Sequence, residues 1–325
     1  MSLAVRDLTV KYDATSVLVG IDLSVETGER FAIMGPSGSG KSTLLRAIAG
    51  LIDIDSGTIA IDDTDVAKTP AHRRSVGLMF QDYALFPHMT VAQNVGYGLR
   101  MSGVAKQQRT ARSLELLELV GLGGFQDREP TTLSGGEQQR VALARTLAPS
   151  PSIVLLDEPL ASLDVSLRVS LLAETRSILD EVGATSIYVT HDKAEAFAFC
   201  DRMAILDTGR LVRIGTPDEI WRNPRSEFVA RSVGQMNLIP IGWIDRSRSG
   251  LCFVPFDAIT VQSDGRFAGT VVTSRFTDGE YVTRLRLLDE ETTMEVRTHQ
   301  TLQPGTELRF DVEADAVIVV STDQL

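Results

Sequence analysis

GPSGSGKST, Gly35 to Thr43, is the stretch that decides how the chain is read. Gly35, Gly40, Lys41 and Ser42 stand in register with the pattern G-x-x-x-x-G-K-[ST]. The run before it, RFAIM (Arg30 to Met34), is apolar and of strand length, and LLRAIAG after it has helical character with Gly50 placed to end the helix. Strand, loop and helix in that order make a cradle for an anion. Glycines let successive backbone N–H groups face one point, and the helix N-terminus adds its partial positive charge. In such a cradle Lys41 reaches the β- and γ-phosphates of a nucleotide, and the Ser42 hydroxyl ligates Mg²⁺.

Three further stretches fit a sheet whose strands end at that cradle. PSIVLLDEPLASLD (Pro151 to Asp164) has a buried-strand run, IVLL, with Asp157 and Glu158 at its end. Asp157 is placed to hold Mg²⁺ through water, and Glu158 to take a proton from, or orient, the water that attacks the γ-phosphate. SIYVTHD (Ser186 to Asp192) repeats the pattern and puts His191 where a hydrogen-bond donor senses the γ-phosphate. Gln81, in LMFQDYALFP, follows a fourth short apolar run, and its amide suits contact with Mg²⁺ or the attacking water.

LSGGEQQR, Leu133 to Arg140, is built like a second phosphate holder yet lies far along the chain from the first. Ser134, Gly135 and Gly136 open a helix that runs on through EQQRVALARTLA, so they offer a hydroxyl, free N–H groups and a helix dipole. These elements, in this order, resemble the nucleotide-binding subunit of an ATP-binding cassette transporter, over roughly Leu3 to Gly234. The resemblance implies an α/β P-loop NTPase core carrying a helical subdomain, with ATP and Mg²⁺ bound. It implies that Tyr12 stacks on adenine and that the whole loop Gly35, Pro36, Ser37, Gly38, Ser39, Gly40, Lys41, Ser42 and Thr43 contacts nucleotide. Lys41, Gln81, Glu158 and His191 carry catalysis on this reading, and Ser42, Gln81 and Asp157 hold the metal. It also gives LSGGEQQR a purpose: Ser134, Gly135, Gly136 and Gln138, with Asp164 of the ASLD segment, bind the ATP held by the other chain of a head-to-tail homodimer. The chain departs from the family at Leu160, where an aromatic is usual, and in reading ASLD where SALD is common.

The remaining sequence sets the surroundings. VAKQQRTARSLELLELVGL (Val104 to Leu122) places Ala111, Leu114, Leu117 and Val120 at helical spacing, with Gly121 as the stop. A helical subdomain over about 90–149 follows, and Tyr83, Leu85, Phe86 and Pro87 are expected in an exposed loop at its junction with the core. They either fold back as local core or line a groove for a helix of a transmembrane permease subunit, the family's use of this position. GTPDEIW offers Thr216 as N-cap, Pro217 as first helical residue and Glu219 in a capping box. Past SVGQMN, short β-rich runs alternate with turns at Asp278-Gly279 and Pro304-Gly305. This resembles the all-β OB-like (TOBE) domain appended to importer ATPases, so the division expected is an ATPase domain over 1–235 and a regulatory β domain over 236–325.

Composition narrows the function. A net charge of −11 over 325 residues argues against general nucleic-acid binding, which needs a basic face to neutralise phosphates. Cys200 and Cys252 are its only cysteines, and they suggest neither a disulfide framework nor a zinc site. No apolar run approaches the ~20 residues of a membrane span. The reading is an energy-coupling importer ATPase, peripheral on the cytoplasmic face of the plasma (inner) membrane, working with permease subunits and an extracytoplasmic solute-binding protein. In wording the chain most resembles the iron(III), thiamine and polyamine branch; importers of sugars or inorganic anions share its plan. A soluble cassette ATPase of DNA maintenance would carry a long coiled coil between the phosphate loop and LSGGEQQR, where no heptad run occurs. The β domain speaks against an exporter.

Overall fold

A computed structural model describes residues 1–13, 15–234, 237–277, 279–287 and 292–320. Two compact units divide between Pro217 and Asp218. The composition boundary read at 235/236 falls on Gln235 and Met236, outside the described residues.

The first unit opens with β1 (Leu3–Tyr12), β2 (Thr15–Val25) and β3 (Arg30–Met34), followed by helix α1 (Lys41–Ala49). Next come β4 (Ser56–Ile61), β5 (Thr64–Asp65) and β6 (Val76–Met79), then the helices α2 (Val91–Val95), α3 (Tyr97–Met101), α4 (Lys106–Leu119) and α5 (Gly135–Leu147). It closes with β7 (Ile153–Asp157), α6 (Val165–Glu181), β8 (Thr185–Thr190), α7 (Lys193–Phe199), β9 (Arg202–Asp207) and β10 (Arg210–Gly215). The strands form an antiparallel sheet in the order β2-β1-β4-β5 and a larger sheet in the order β10-β9-β3-β8-β7-β6. The second is parallel from β9 to β6. Such strands are covered on both faces and so read as unbroken apolar runs; every residue of β7 and β8 is buried. Leu8 and Ile21 of the antiparallel sheet, Leu44 and Ile48 of α1, and Phe31, Leu155 and Val189 of the parallel sheet share one core.

Register is what positions the site. Met34 pairs with Thr190, Asp157 with Val189, and Met79 with Leu156, so β3, β8, β7 and β6 all finish at one edge. That edge is where a parallel sheet presents its ligand. Helix α1 ends as expected at Gly50, whose φ of 73° is open to glycine at little cost. A buried arginine, Arg74, reinforces that end by donating to Ala47 O and Ile48 O, both at 2.8 Å.

The helices between β6 and β7 include no long arm; α4, at 14 residues, is the longest before the LSGGEQQR helix. Its buried face differs from the one the spacing suggests. Ser113, Leu116, Leu117 and Val120 are covered, while Ala111 and Leu114 are exposed. Leu116 replaces Leu114 because the face is centred on the i, i+3, i+4, i+7 set from Ser113, a residue that returns its hydroxyl to Arg109 O at 2.8 Å. In the 83–87 loop the two alternatives divide: Tyr83, 5% exposed, folds back as core, whereas Pro87 is exposed and Leu85 and Phe86 are half-buried.

The division falls after the first residue of α8 (Pro217–Arg222), where Pro217 takes the first helical position as read. Unforeseen in the sequence is α9 (Glu227–Ser232), capped by Ser226 Oγ accepting from Val229 N at 3.3 Å. The strands β11 (Leu238–Pro240), β12 (Leu251–Phe253), β13 (Ile259–Val261), β14 (Phe267–Thr277), β15 (Glu280–Leu287), β16 (Thr293–Thr298), β17 (Glu307–Val312) and β18 (Ile318–Val320) follow. They make an OB-like pair of antiparallel sheets, ordered β11-β12-β18 and β13-β17-β14-β15-β16. Cys252, Val271, Leu285, Val296 and Phe310 fill the core, and Trp243 stacks on Phe267 at 4.5 Å between ring centres. Thr277 pairs with Glu280, leaving a two-residue connection; of the Asp278-Gly279 turn expected there, Asp278 lies outside the described residues. Pro304-Gly305 forms its turn, with Gly305 at φ 88°.

Candidate nucleotide site

The loop between β3 and α1 is shaped by what it excludes. A Cβ on Gly35 would lie 2.2 Å from Leu206 O, and one on Gly40 2.8 Å from a Leu18 methyl. Gly38 and Gly40 adopt φ of 81° and 106°, a region open chiefly to glycine. Lys41 is buried; its Nζ donates to Gly35 O and Pro36 O, each at 2.9 Å, and stands 3.9 Å from Glu158 Oε1. Burial pulls the Lys41 pKa below its ordinary value, and the Glu158 and Asp157 carboxylates oppose that pull. Ser39 Oγ is buried with no partner among the described residues, an unmet donor and acceptor inside the cradle.

Asp157 ends β7 and accepts from Ser42 Oγ at 2.8 Å. Burial raises the Asp157 pKa, with the Ser42 hydrogen bond acting against it and the Glu158 charge with it. Glu158, next along, holds φ 44°, a costly value for a side chain with a Cβ. Its N–H bond to Val189 O at 3.0 Å fixes it there. Its Oε2 lies 3.2 Å from His191 Nδ1. His191 in turn follows a pinned strand end. Thr190 Oγ1 donates to the buried Glu195 carboxylate at 2.7 Å and accepts from Asp192 N at 2.9 Å, while Tyr188 OH donates to the same carboxylate at 3.0 Å.

Lys41, Ser42, Asp157, Glu158 and His191, separated by up to 150 positions, thus meet in one cluster at the edge of the sheet. Gln81 and Tyr12 are exposed, Tyr12 at 45%, and neither side chain has a hydrogen-bond partner among the described residues.

The LSGGEQQR residues form a second cluster. Ser134 caps α5 in a full capping box: its Oγ accepts from Glu137 N at 3.4 Å and its N–H donates to Glu137 Oε2 at 2.7 Å, an oxygen to which the Oγ also donates at 2.8 Å. The hydroxyl is thereby engaged within the chain, as is Gln138, whose amide donates to Pro130 O and Leu133 O. Gly135 and Gly136 begin the helix, where N–H groups have no intrahelical acceptor. The ASLD segment packs beside them: a Cβ on Gly135 would meet a Leu163 methyl at 2.8 Å. Asp164 starts α6 without a side-chain cap bond. Among the described residues, no hydrogen bond or ion pair joins 133–140 to 35–43.

The model for the family described as ABC transporter matches residues 18–161. Over 239 residues the chain is 49% identical to the Fe(3+) ions import ATP-binding protein of Streptomyces avermitilis, covering 74% of this chain and 69% of that one. The chain belongs to the ABC transporter family. It is an importer-type ATPase of that family. A second relative, the spermidine/putrescine import ATP-binding protein of Roseobacter denitrificans, is 44% identical over 80% of this chain and 72% of its own. Among solved structures, the dimeric bacterial ABC transporter cassette MJ0796 aligns with a TM-score of 0.59 at 32% identity, over 66% of this chain and 98% of that one. As in the family, ATP is the nucleotide this ABC ATPase binds. Among its described residues no helix is long and apolar enough to cross a membrane.

Two residues that shape the ABC site are only faintly marked in the sequence. Asn94, fully buried, grips the loop after Gln81 through Phe86 N at 2.8 Å and Phe86 O at 3.1 Å. Arg145, on α5, donates to Ala84 O at 2.6 Å and also to Tyr83 O. Their only sequence signal is a polar residue on an otherwise apolar helical face.

Proposed function

We propose that the chain works as a head-to-tail homodimer in which each ATP is held between the Gly35–Thr43 loop of one copy and the Ser134–Gln138 helix start of the other. The observation that carries this is the division of anion-facing groups into two clusters that share no bond within one chain. A dimeric cassette among its structural relatives supports it. In this arrangement the Gly35–Thr43 backbone and Lys41 bind the β- and γ-phosphates, Tyr12 stacks on adenine, and Asp164 faces the partner's nucleotide. Glu158 takes the proton of the attacking water, Gln81 orients that water, and His191, positioned by Glu158 and Thr190, donates to the γ-phosphate.

The donor set fits Mg²⁺. Ser42 Oγ and Asp157 Oδ1 are hard oxygens 2.8 Å apart, and no group of three or more His, Cys, Asp or Glu among the described residues forms a complete protein cage. That is the pattern of a metal held by one carboxylate together with substrate phosphates. Ser42 and Asp157 would hold it, with Gln81 completing the set. Bound there, Mg²⁺ neutralises and aligns the phosphate oxygens.

Closure of the dimer around ATP drives transmembrane permease subunits docked beside Gln81, and hydrolysis resets them. The assembly places the chain peripherally on the cytoplasmic face of the inner membrane, with an extracytoplasmic solute-binding protein choosing the cargo. Relatives named for Fe(3+) and for spermidine/putrescine, at 49% and 44% identity, support iron(III) or polyamine as cargo, and one named for sn-glycerol-3-phosphate, at 45%, stands beside them. The domain division at 235/236 is retained as part of this proposal, with the β domain regulatory.

Mixing two inactive variants tests the arrangement. Lys41→Ala spoils the phosphate loop and Gly136→Asp places a carboxylate against the γ-phosphate. With sites shared between copies, the mixed dimer has one intact site, and random equal mixing makes about half of all dimers mixed, so ATPase activity returns at roughly a quarter of wild type. A mixture that neither dimerises with ATP nor hydrolyses it overturns the arrangement.

A further inference from the structure

Directly after Gln81 the backbone passes through two consecutive left-handed residues, Tyr83 at φ 60° and Ala84 at φ 45°. Neither is glycine. Backbone of this kind persists only where its surroundings over-determine it, and here three elements do so. From α5, Arg145 donates to the carbonyls of both residues. From the segment after β7, the Ser162 hydroxyl donates to Tyr83 Oη at 3.0 Å. From within the loop, Tyr83 N bonds to Phe80 O at 3.0 Å and Ala84 N to Asp82 O at 2.7 Å. The Tyr83 ring is 5% exposed, and its hydroxyl must find a partner inside the protein.

The partner is well placed to carry a signal. Ser162 stands two positions before Asp164, and its neighbour Leu163 packs against Gly135 at the start of α5. One tyrosine therefore ties the Gln81 segment to the Ser162–Asp164 segment, while the helix that begins with Gly135 reaches back through Arg145 to the same tyrosine's backbone.

We infer that Tyr83 is a positioning residue for hydrolysis: through Ser162 it fixes Gln81, which orients water at its own chain's site, to the loop bearing Asp164, which faces the other site. The inference rests on the roles proposed above for Gln81 and Asp164. Loss of the phenol–serine bond frees residues 83 and 84 to leave the left-handed region. That rotation swings Gln81, two positions upstream, out of line. It leaves the Gly35–Thr43 loop untouched, so turnover suffers and nucleotide affinity does not.

The experiment uses the full chain with Mg²⁺ and ATP. Tyr83→Phe and Ser162→Ala, each with an unaltered melting temperature, should lower kcat about three- to tenfold with KM for ATP changed less than twofold, the scale of one lost hydroxyl hydrogen bond. The double variant should be no worse than the more severe single, because both remove one interaction. Ser162→Thr, which keeps the hydroxyl, should restore kcat. Wild-type kcat in both singles, losses that multiply in the double, or a change confined to KM each overturn the inference while wild-type hydrolysis leaves the parent reading standing. A wild-type chain that does not hydrolyse ATP overturns both.

Discussion

Glu158→Gln separates chemistry from binding, and its outcome can be worked out from the site. Glutamine keeps the length and planarity of the side chain, so contact with His191, 3.2 Å away, survives with an amide in place of the carboxylate. Lys41 loses the carboxylate 3.9 Å away but keeps both carbonyl acceptors at 2.9 Å. Asp157 is relieved of a like charge that had raised its pKa. The losses and gains in charge energy are of opposite sign, so the fold should melt within about 2 °C of wild type. What disappears is the group that accepts a proton from water. A positioned general base is worth about 10²- to 10⁴-fold, or roughly 3–5 kcal/mol of barrier. Steady-state phosphate release at saturating Mg²⁺ and ATP should therefore fall at least a hundredfold. ATP binding should persist, and a nucleotide-bound dimer should accumulate on size exclusion. A well-folded variant that turns over within tenfold of wild type refutes the assignment.

Two further outcomes follow from buried groups. Asn94→Ala strips the loop at Phe86 of an acceptor and a bridging amide; stability should fall by about 2 kcal/mol, with amide exchange at Phe86 accelerating most, and unchanged exchange there would refute the clamp. Asp157→Asn bears on pH. Burial raises the Asp157 pKa, so the folded chain takes up this proton more readily than the unfolded one; the resulting stability is present below about pH 4 and is lost as pH rises through the raised value. The nucleotide-free variant should accordingly melt higher than wild type at neutral pH, with the gap narrowing toward pH 4, and a constant gap counts against the reasoning.

The contrast between what was and was not legible in the sequence follows contact distance along the chain. The strand before Gly35 and the helix after it are local events, specified by an apolar run, glycines and a cap, so both were read correctly. Register did the rest without leaving any signal of its own: Asp157 and His191 reach Lys41 because β7, β8 and β3 lie side by side. Arg145 and Arg74 were missed for the opposite reason. They bind backbone carbonyls 62 and 27 positions away, and a carbonyl looks the same in every residue type. Tyr83 stays undecided between core and groove in the sequence because a tyrosine in a loop of polar and aromatic residues carries no periodicity. In α4 the period was right and the phase was not: Ser113 buries its hydroxyl against its own helix, which a count of apolar residues does not see.

On the proposed arrangement, the electrostatics of the two clusters favour a nucleotide grip made by backbone more than by charge. The chain carries a net charge of −11, so its long-range field opposes an approaching nucleotide. Lys41, the cation nearest the cradle, is already offset by Glu158 and Asp157. Attraction must then come from oriented N–H groups, whose field fades within about one helical turn, and that makes backbone shape decisive. Gly35, with Leu206 O where a Cβ would sit, sets that shape. At the other cluster the start of α5 is occupied by the chain's own anion. Glu137, held ionised by hydrogen bonds from Ser134 N and Oγ, sits on the helix N-terminus. A γ-phosphate arriving there shares a dipole that is partly neutralised, and it finds its free donors only at Gly135 and Gly136. On the proposed arrangement this makes the contact between copies weaker than the grip of the phosphate loop. Once hydrolysis separates the γ-phosphate from the nucleotide, the weaker cluster is the one that lets go, and each copy keeps its own ADP as the dimer opens.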